Sequence, residues 1–176
     1  LQSQDSCPPT TKISSMLGGT ASPTDPAADT EPPLWKINEI FGYSGVHDLK
    51  LTTDMDQIVG DARAFKEKFQ GKIKSKKLSA NRLLEAIQTY EKIRDDADLV
   101  HDYLFALLTT HLQDTDIKAA NAKAQQKIDD MNALTTFFDL ELARADEAHI
   151  QSLLATGILD GYRHFITLTR QQVPYL

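Results

Sequence analysis

Between Pro33 and Pro174 the chain contains no proline, and its apolar residues return every three or four positions over most of that length. Proline removes a backbone donor and clashes with the preceding helical turn, so a long proline-free stretch with this period favours long helices. In TTDMDQIVGDARAFKEKFQ, Met55, Ile58, Ala62, Phe65 and Phe69 share one face,. Thr53 or Asp54 is placed to cap the start of this helix and Gly71 to end it,. Ser79 is a good cap for the next, which carries Leu83, Leu84, Ile87, Tyr90 and Ile93 and continues through Leu99, Tyr103, Leu107 and Leu108,. Within it, the acidic run EKIRDDAD reads either as a bend between two helices or as an exposed turn of one. Asp114 or Thr115 opens a long helix to about Ala145, on a stripe of Ile117, Ala120, Ala124, Ile128, Met131, Leu134, Phe138 and Leu142,. Asp146 caps a short helix holding Ile150, Leu153 and Leu154, which Gly157 ends,. A last helix over about 158–171 carries Leu159, Tyr162, Phe165, Ile166 and Leu168,. There is no strand-like alternation of useful length and no internal repeat. The stripes are wider than a coiled-coil seam, so the expected fold class is all-α: an antiparallel helical bundle of about five to six helices with an extended N-terminal arm.

The arm follows from where the prolines do lie. Pro8, Pro9, Pro23, Pro26, Pro32 and Pro33 fall in a stretch rich in Ser and Thr and poor in large apolar residues. Such a stretch buries too little surface to offset its ordering entropy. Residues 1–33 are therefore read as an extended arm or linker that needs a surface, its own domain or a partner, to lie on. Residues 34–176 are read as the helical domain. Its first part, LWKINEIFGYSGVHDLKL, has Trp35, Ile37, Ile40, Phe41 and Tyr43, and is expected to pack as a short irregular segment.

Charge narrows the function classes. The formal net charge is -6 and the isoelectric point about 5.3. An acidic chain is a poor generic binder of nucleic acids or membrane surfaces, both of which are anionic. No run approaches the roughly 18 apolar residues of a membrane span. Cys7 is the single cysteine and has no internal disulfide partner,. Around GKIKSKK the charge reverses, with Lys66, Lys68, Lys72, Lys74, Lys76 and Lys77. This is either a solvated helix end, where cations are favoured, or a docking patch for an acidic partner. The opening LQSQDSCPPTTKISS lacks the apolar core of a secretory signal and the arginines of a typical mitochondrial presequence,. A cytoplasmic location is expected, with a mitochondrial one, after removal of a presequence, as the alternative.

No catalytic constellation is visible. None of His47, His101, His111, His149 and His164 stands four residues from another, and HExxH is absent,. Asp146 and His149 are three apart, which suits a weak metal site but equally suits an acidic helix N-terminus,. There is no glycine-rich phosphate loop and no GxSxG elbow,. Consecutive acids such as Asp95-Asp96 and Asp129-Asp130 point in different directions on a helix,. No catalytic, cofactor-binding or metal residue is assigned to this chain.

One acid stands out. In FFDLELARAD, with Leu134 set at 0°, Phe138 falls near about 40°, Leu142 near about 80°, Phe137 near about 300° and Glu141 near about 340°,. Glu141 therefore lies inside the apolar stripe, while Asp139 and Arg144 lie outside it. A carboxylate near a core is costly unless paired and hydrogen-bonded, so a partner is expected. Arg163 is the first candidate, then Tyr103, His111 and Tyr162; the alternative is an acid at the stripe edge reaching water.

LWKINEIF, YEKI, FFDLELARADE and YRHFITLTRQQVPYL, in this order, resemble the N-terminal part of oligoendopeptidase F, a family of zinc metallopeptidases related to thimet oligopeptidase. The resemblance spans about Pro33 to Leu176. It implies a helical, non-catalytic domain over a chamber whose HExxH and further glutamate ligand lie in another domain. It thus implies a cap that restricts access to short, flexible peptides, with zinc only in that separate catalytic domain. The partner implied is a catalytic peptidase domain. The alternative is a peptidase-derived domain reused as a structural or accessory subunit, with other protein subunits as partners and its arm lying on one of them. The chain stops at PYL where a family member runs on, which favours that alternative. In either case Trp35, Phe137, Phe138, Glu141, Tyr162 and Arg163 are the candidate structural or interface residues.

Overall fold

A computed structural model of the chain describes residues 36–171. The expected arm at 1–33 and the candidate residue Trp35 lie outside these residues. The described part is all-α: α1 (Ile37–Phe41), α2 (Leu49–Phe69), α3 (Ala80–Thr110), α4 (Thr115–Ala143), α5 (Glu147–Leu154), a 3-10 turn (Asp160–Tyr162) and α6 (Arg163–Gln171). The segment expected to be irregular in fact contains α1 and the start of α2.

α2, α3 and α4 form the frame, each packed on the other two. Lys68 of α2 meets Glu85 of α3 (2.5 Å), while Tyr43, just before α2, stacks near Tyr103 of α3 (4.8 Å between centroids), so α3 runs antiparallel to α2. Asp56 of α2 meets Lys127 of α4 (2.9 Å), and Gly71, just past α2, meets Glu141 near the end of α4, so α2 and α4 run parallel. α1 packs on α3, and α6 packs on α4. The core between them holds most of the expected stripes, including the fully buried Phe65, Phe69, Leu83, Tyr103, Phe138 and Leu142, but the expected stripe members Leu99 and Leu168 are exposed.

The ends of the helices refine the sequence expectations. α2 starts earlier than Thr53 or Asp54 because its stripe begins one turn earlier, with the fully buried Leu51. Asp48 is its cap, accepting from the Lys50 amide (2.8 Å) and, through its other oxygen, from Ser44. Asp54 is instead the acceptor for the Tyr43 hydroxyl (2.9 Å). α2 ends at Phe69, and Gly71 takes the left-handed conformation (φ 77°) just beyond it, a backbone state in which glycine avoids the Cβ clash,. Ser79 caps α3 as expected. EKIRDDAD proves to be continuous helix: Ile93 and Ala97 stay on the buried stripe while Lys92 pairs with Asp96 outside. Asp114 caps α4, which ends at Ala143, two residues before the expected Ala145. Asp146 caps α5 as expected, and Gly157 (φ 77°) follows it. The single helix expected over 158–171 is broken. The Tyr162 amide donates to the Leu159 carbonyl in a tight 3-10 turn that drives Leu159 into the core, and only then does α6 begin,.

The carboxylates of Asp48, Asp114 and Asp146 are each held below the usual carboxylate range, chiefly by bonds from backbone amides. A lowered folded-state pKa contributes stability that is present above the unfolded value and lost as pH falls through the folded one. The urea midpoint is therefore expected to fall as pH drops below about 4. Replacing the three acids by Asn, which caps without titrating, should flatten that fall; an unchanged acid limb would contradict it.

Candidate functional site

Of the candidate residues, Phe137, Phe138 and Glu141 lie near the end of α4, Tyr162 ends the 3-10 turn and Arg163 opens α6. Phe138 is fully buried, with its ring centroid 4.9 Å from Tyr90 and 5.5 Å from Phe65. Phe137 is half-buried and also packs on Phe65 (5.4 Å between centroids). Both therefore serve the core, in keeping with the width of the stripe.

Glu141 is half-buried and does have partners, but they are not the ones expected. Its two carboxylate oxygens accept from the backbone amides of Gly71 (2.6 Å) and Ile73 (3.2 Å). The expected ion pair with Arg163 is absent. Arg163 instead donates to Asp160 (2.9 Å) and to the Leu154 carbonyl (3.2 Å), and Tyr162 donates to Glu91 (2.7 Å). Tyr103 donates to Asn38 (3.0 Å), and His111 meets the Thr110 hydroxyl (2.8 Å). The reason lies in the topology. Because α4 runs parallel to α2, Glu141 faces the turn that leaves α2, where two amides point outward from the helix end. Fixed backbone donors cost less entropy to engage than a long arginine side chain.

Two polar residues that matter here are not singled out by periodicity. Asp139, at about 140° on the wheel, lies outside the stripe yet is half-buried,. It accepts from the hydroxyl of the buried Tyr90 (3.0 Å), which in turn accepts from Arg94 (3.3 Å). A helix packed against α2, α3 and α6 at once has a wider inner arc than one apolar stripe reveals. Arg170 is the other. Its guanidinium donates to the carbonyls of Leu142 (2.8 Å) and Ala145 (2.9 Å) and to Glu147 (2.6 Å). The Leu142 carbonyl, near the end of α4, also accepts from the Ala145 amide (3.4 Å), and Ala145 lies just past the helix, so Arg170 braces the junction that follows α4. The only sequence signal for it is a cation one helix away from a chain reversal.

Ile87, Tyr90, Glu91, Arg94, Tyr162 and Phe165 border a cleft of about 230 Å³ between α3 and the last turn and helix. Within it Tyr162 donates to Glu91 and Arg94 to Tyr90, while Asp95 and Asp98 also line it. Burial, then the charge of Asp139, pushes the Tyr90 hydroxyl up from its usual range, and burial likewise pushes Asp139 up. A tyrosine acting as base or nucleophile needs the opposite shift. This network ties helices together rather than activating a group.

Asp146 accepts from the His149 amide (2.9 Å), and the His149 ring donates through Nε2 to the Leu78 carbonyl (3.1 Å), so this pair is a helix cap and a loop anchor. Among the described residues no group of three or more His, Cys, Asp or Glu is arranged to hold a metal ion. Among the same residues no helix is long and apolar enough to cross a membrane. No protein-family model, no curated protein and no solved structure matches the chain.

Proposed function

We propose that this chain is the non-catalytic helical cap of a zinc oligopeptidase of the oligoendopeptidase F type. In that role it covers a catalytic chamber in a separate domain and restricts entry to short, flexible peptides. The observation that supports the reading is the joint between the two segments that carry the resemblance. Arg170, from YRHFITLTR, binds the α4 terminus of FFDLELARAD, so the residues alike in sequence form one structural unit in space. Their polar groups hold helices in place, as befits a cap. The test is direct: the purified chain with added zinc is incubated with quenched fluorescent peptides. No cleavage above the blank is expected, and turnover by this chain alone would overturn the reading.

A second reading, a peptidase-derived accessory subunit of a larger assembly, draws on one observation of its own. Ile40, Leu49, Phe105 and Leu112 are all more than half exposed. They belong to α1, the start of α2, the last turns of α3 and the loop just past it, ends that the antiparallel arrangement of α2 and α3 brings together. Exposed apolar residues gathered in this way suit contact with another protein.

A further inference from the structure

The basic stretch found in the sequence is a built loop. Glu141 bonds the amides of Gly71 and Ile73 at its start, and the His149 ring bonds the Leu78 carbonyl at its end. Ile73 is fully buried and Leu78 nearly so, so the loop is pinned into the core at two points. Between the pins, Lys72, Lys74, Lys76 and Lys77 project outward from a fixed backbone. Lys76 pairs with Asp146, and Lys72 donates to the Lys68 carbonyl. Among the described residues Lys74 and Lys77 have no acidic partner, although the chain carries 25 acids against 19 lysines and arginines. Beside them lies a shallow hollow of about 370 Å³, with Lys72, Lys77, Arg82 and the hydroxyl-bearing Ser75 and Ser79 around it.

We propose that this loop is a docking surface for an acidic polypeptide segment. Pre-ordered lysines lose less entropy on pairing than free ones, and a positive patch on a negative protein steers an acidic partner to one place. The observations favour a polypeptide over other polyanions. The loop's large apolar residues, Ile73 and Leu78, face inward, so it has nothing to insert into a membrane,. It displays no aromatic residue for stacking on bases,. A docking loop of this kind serves a cap and an accessory subunit equally, and its failure leaves both readings standing.

The test uses the full chain and a labelled oligoglutamate peptide, with binding followed by fluorescence anisotropy at two salt concentrations. Lys72→Gln/Lys74→Gln/Lys77→Gln should weaken binding by about tenfold or more, whereas Lys118→Gln/Lys123→Gln on α4 should change it by less than about twofold. Glu141→Gln keeps every lysine but loosens the loop, and should weaken binding by about threefold. Vesicles containing phosphatidylserine and a single-stranded oligonucleotide of equal charge should bind more weakly than the peptide. Equal losses in the two lysine variants, no effect of Glu141→Gln in a folded protein, or tighter binding of vesicles or oligonucleotide would each overturn the proposal.

Discussion

Phe138→Ala is expected to lower the free energy of unfolding by about 3–5 kcal/mol. The phenyl ring has no exposed surface and lies between Phe65 of α2 and Tyr90 of α3. Its removal costs the transfer of the ring from water and leaves a cavity where three helices meet. The walls are long helices with other commitments, so collapse into the space is limited. Phe137, one residue away, is half-buried and touches the same Phe65 ring from the margin, so Phe137→Ala should cost less than half as much,. Urea denaturation of the two variants checks this. Equal losses, or a loss below about 1.5 kcal/mol at Phe138, would show that the core is not centred there.

Arg170→Gln should cost about 2–3 kcal/mol. The arginine side chain is 15% exposed; it donates to the Leu142 carbonyl, which also accepts from the Ala145 amide (3.4 Å), and to the Ala145 carbonyl just past α4, which has no other donor among the described residues,. Its pairing with Glu147 is a smaller contribution, since that carboxylate is 64% exposed and screened by solvent,. Arg170→Lys should recover only part of the loss, because one ammonium cannot span the acceptors that a planar fork reaches. Arg163→Gln is the matched control. That arginine is 53% exposed, its ion pair lies on the surface and it reaches a single carbonyl, that of Leu154, so a loss of at most about 1 kcal/mol is expected,. The same melts would show whether the joint between FFDLELARAD and YRHFITLTR depends on Arg170, as the fold implies.

The helices are legible in the sequence because apolar spacing and caps are local signals. Ser79, Asp114 and Asp146 stand where capping chemistry places them. EKIRDDAD is ambiguous because its charges mask a stripe carried there only by Ile93 and Ala97. The break before α6 depends on Leu159 seeking the core across the chain, which no local period encodes. Glu141 shows the same division. Its wheel angle predicts a partner, but the partner is a pair of amides supplied by the parallel placement of α2 and α4. A search among side chains alone could not find it. Asp139 escapes periodicity because it lies off the apolar stripe and answers the distant Tyr90; Arg170 shares the inward face of Ile166, four residues earlier, but its acceptors beyond α4 are set by the tertiary fold,.

If this chain is the access-restricting half of a zinc peptidase, the half that holds the zinc must accompany it in the natural protein. Isolating that protein under gentle conditions, followed by intact-mass and peptide mass spectrometry, decides the matter. A polypeptide carrying HExxH is expected, either continuous with this chain or co-purifying with it in equal amount. A natural protein that carries this chain together with non-peptidase subunits, or by itself at 19.6 kDa, would contradict the cap reading.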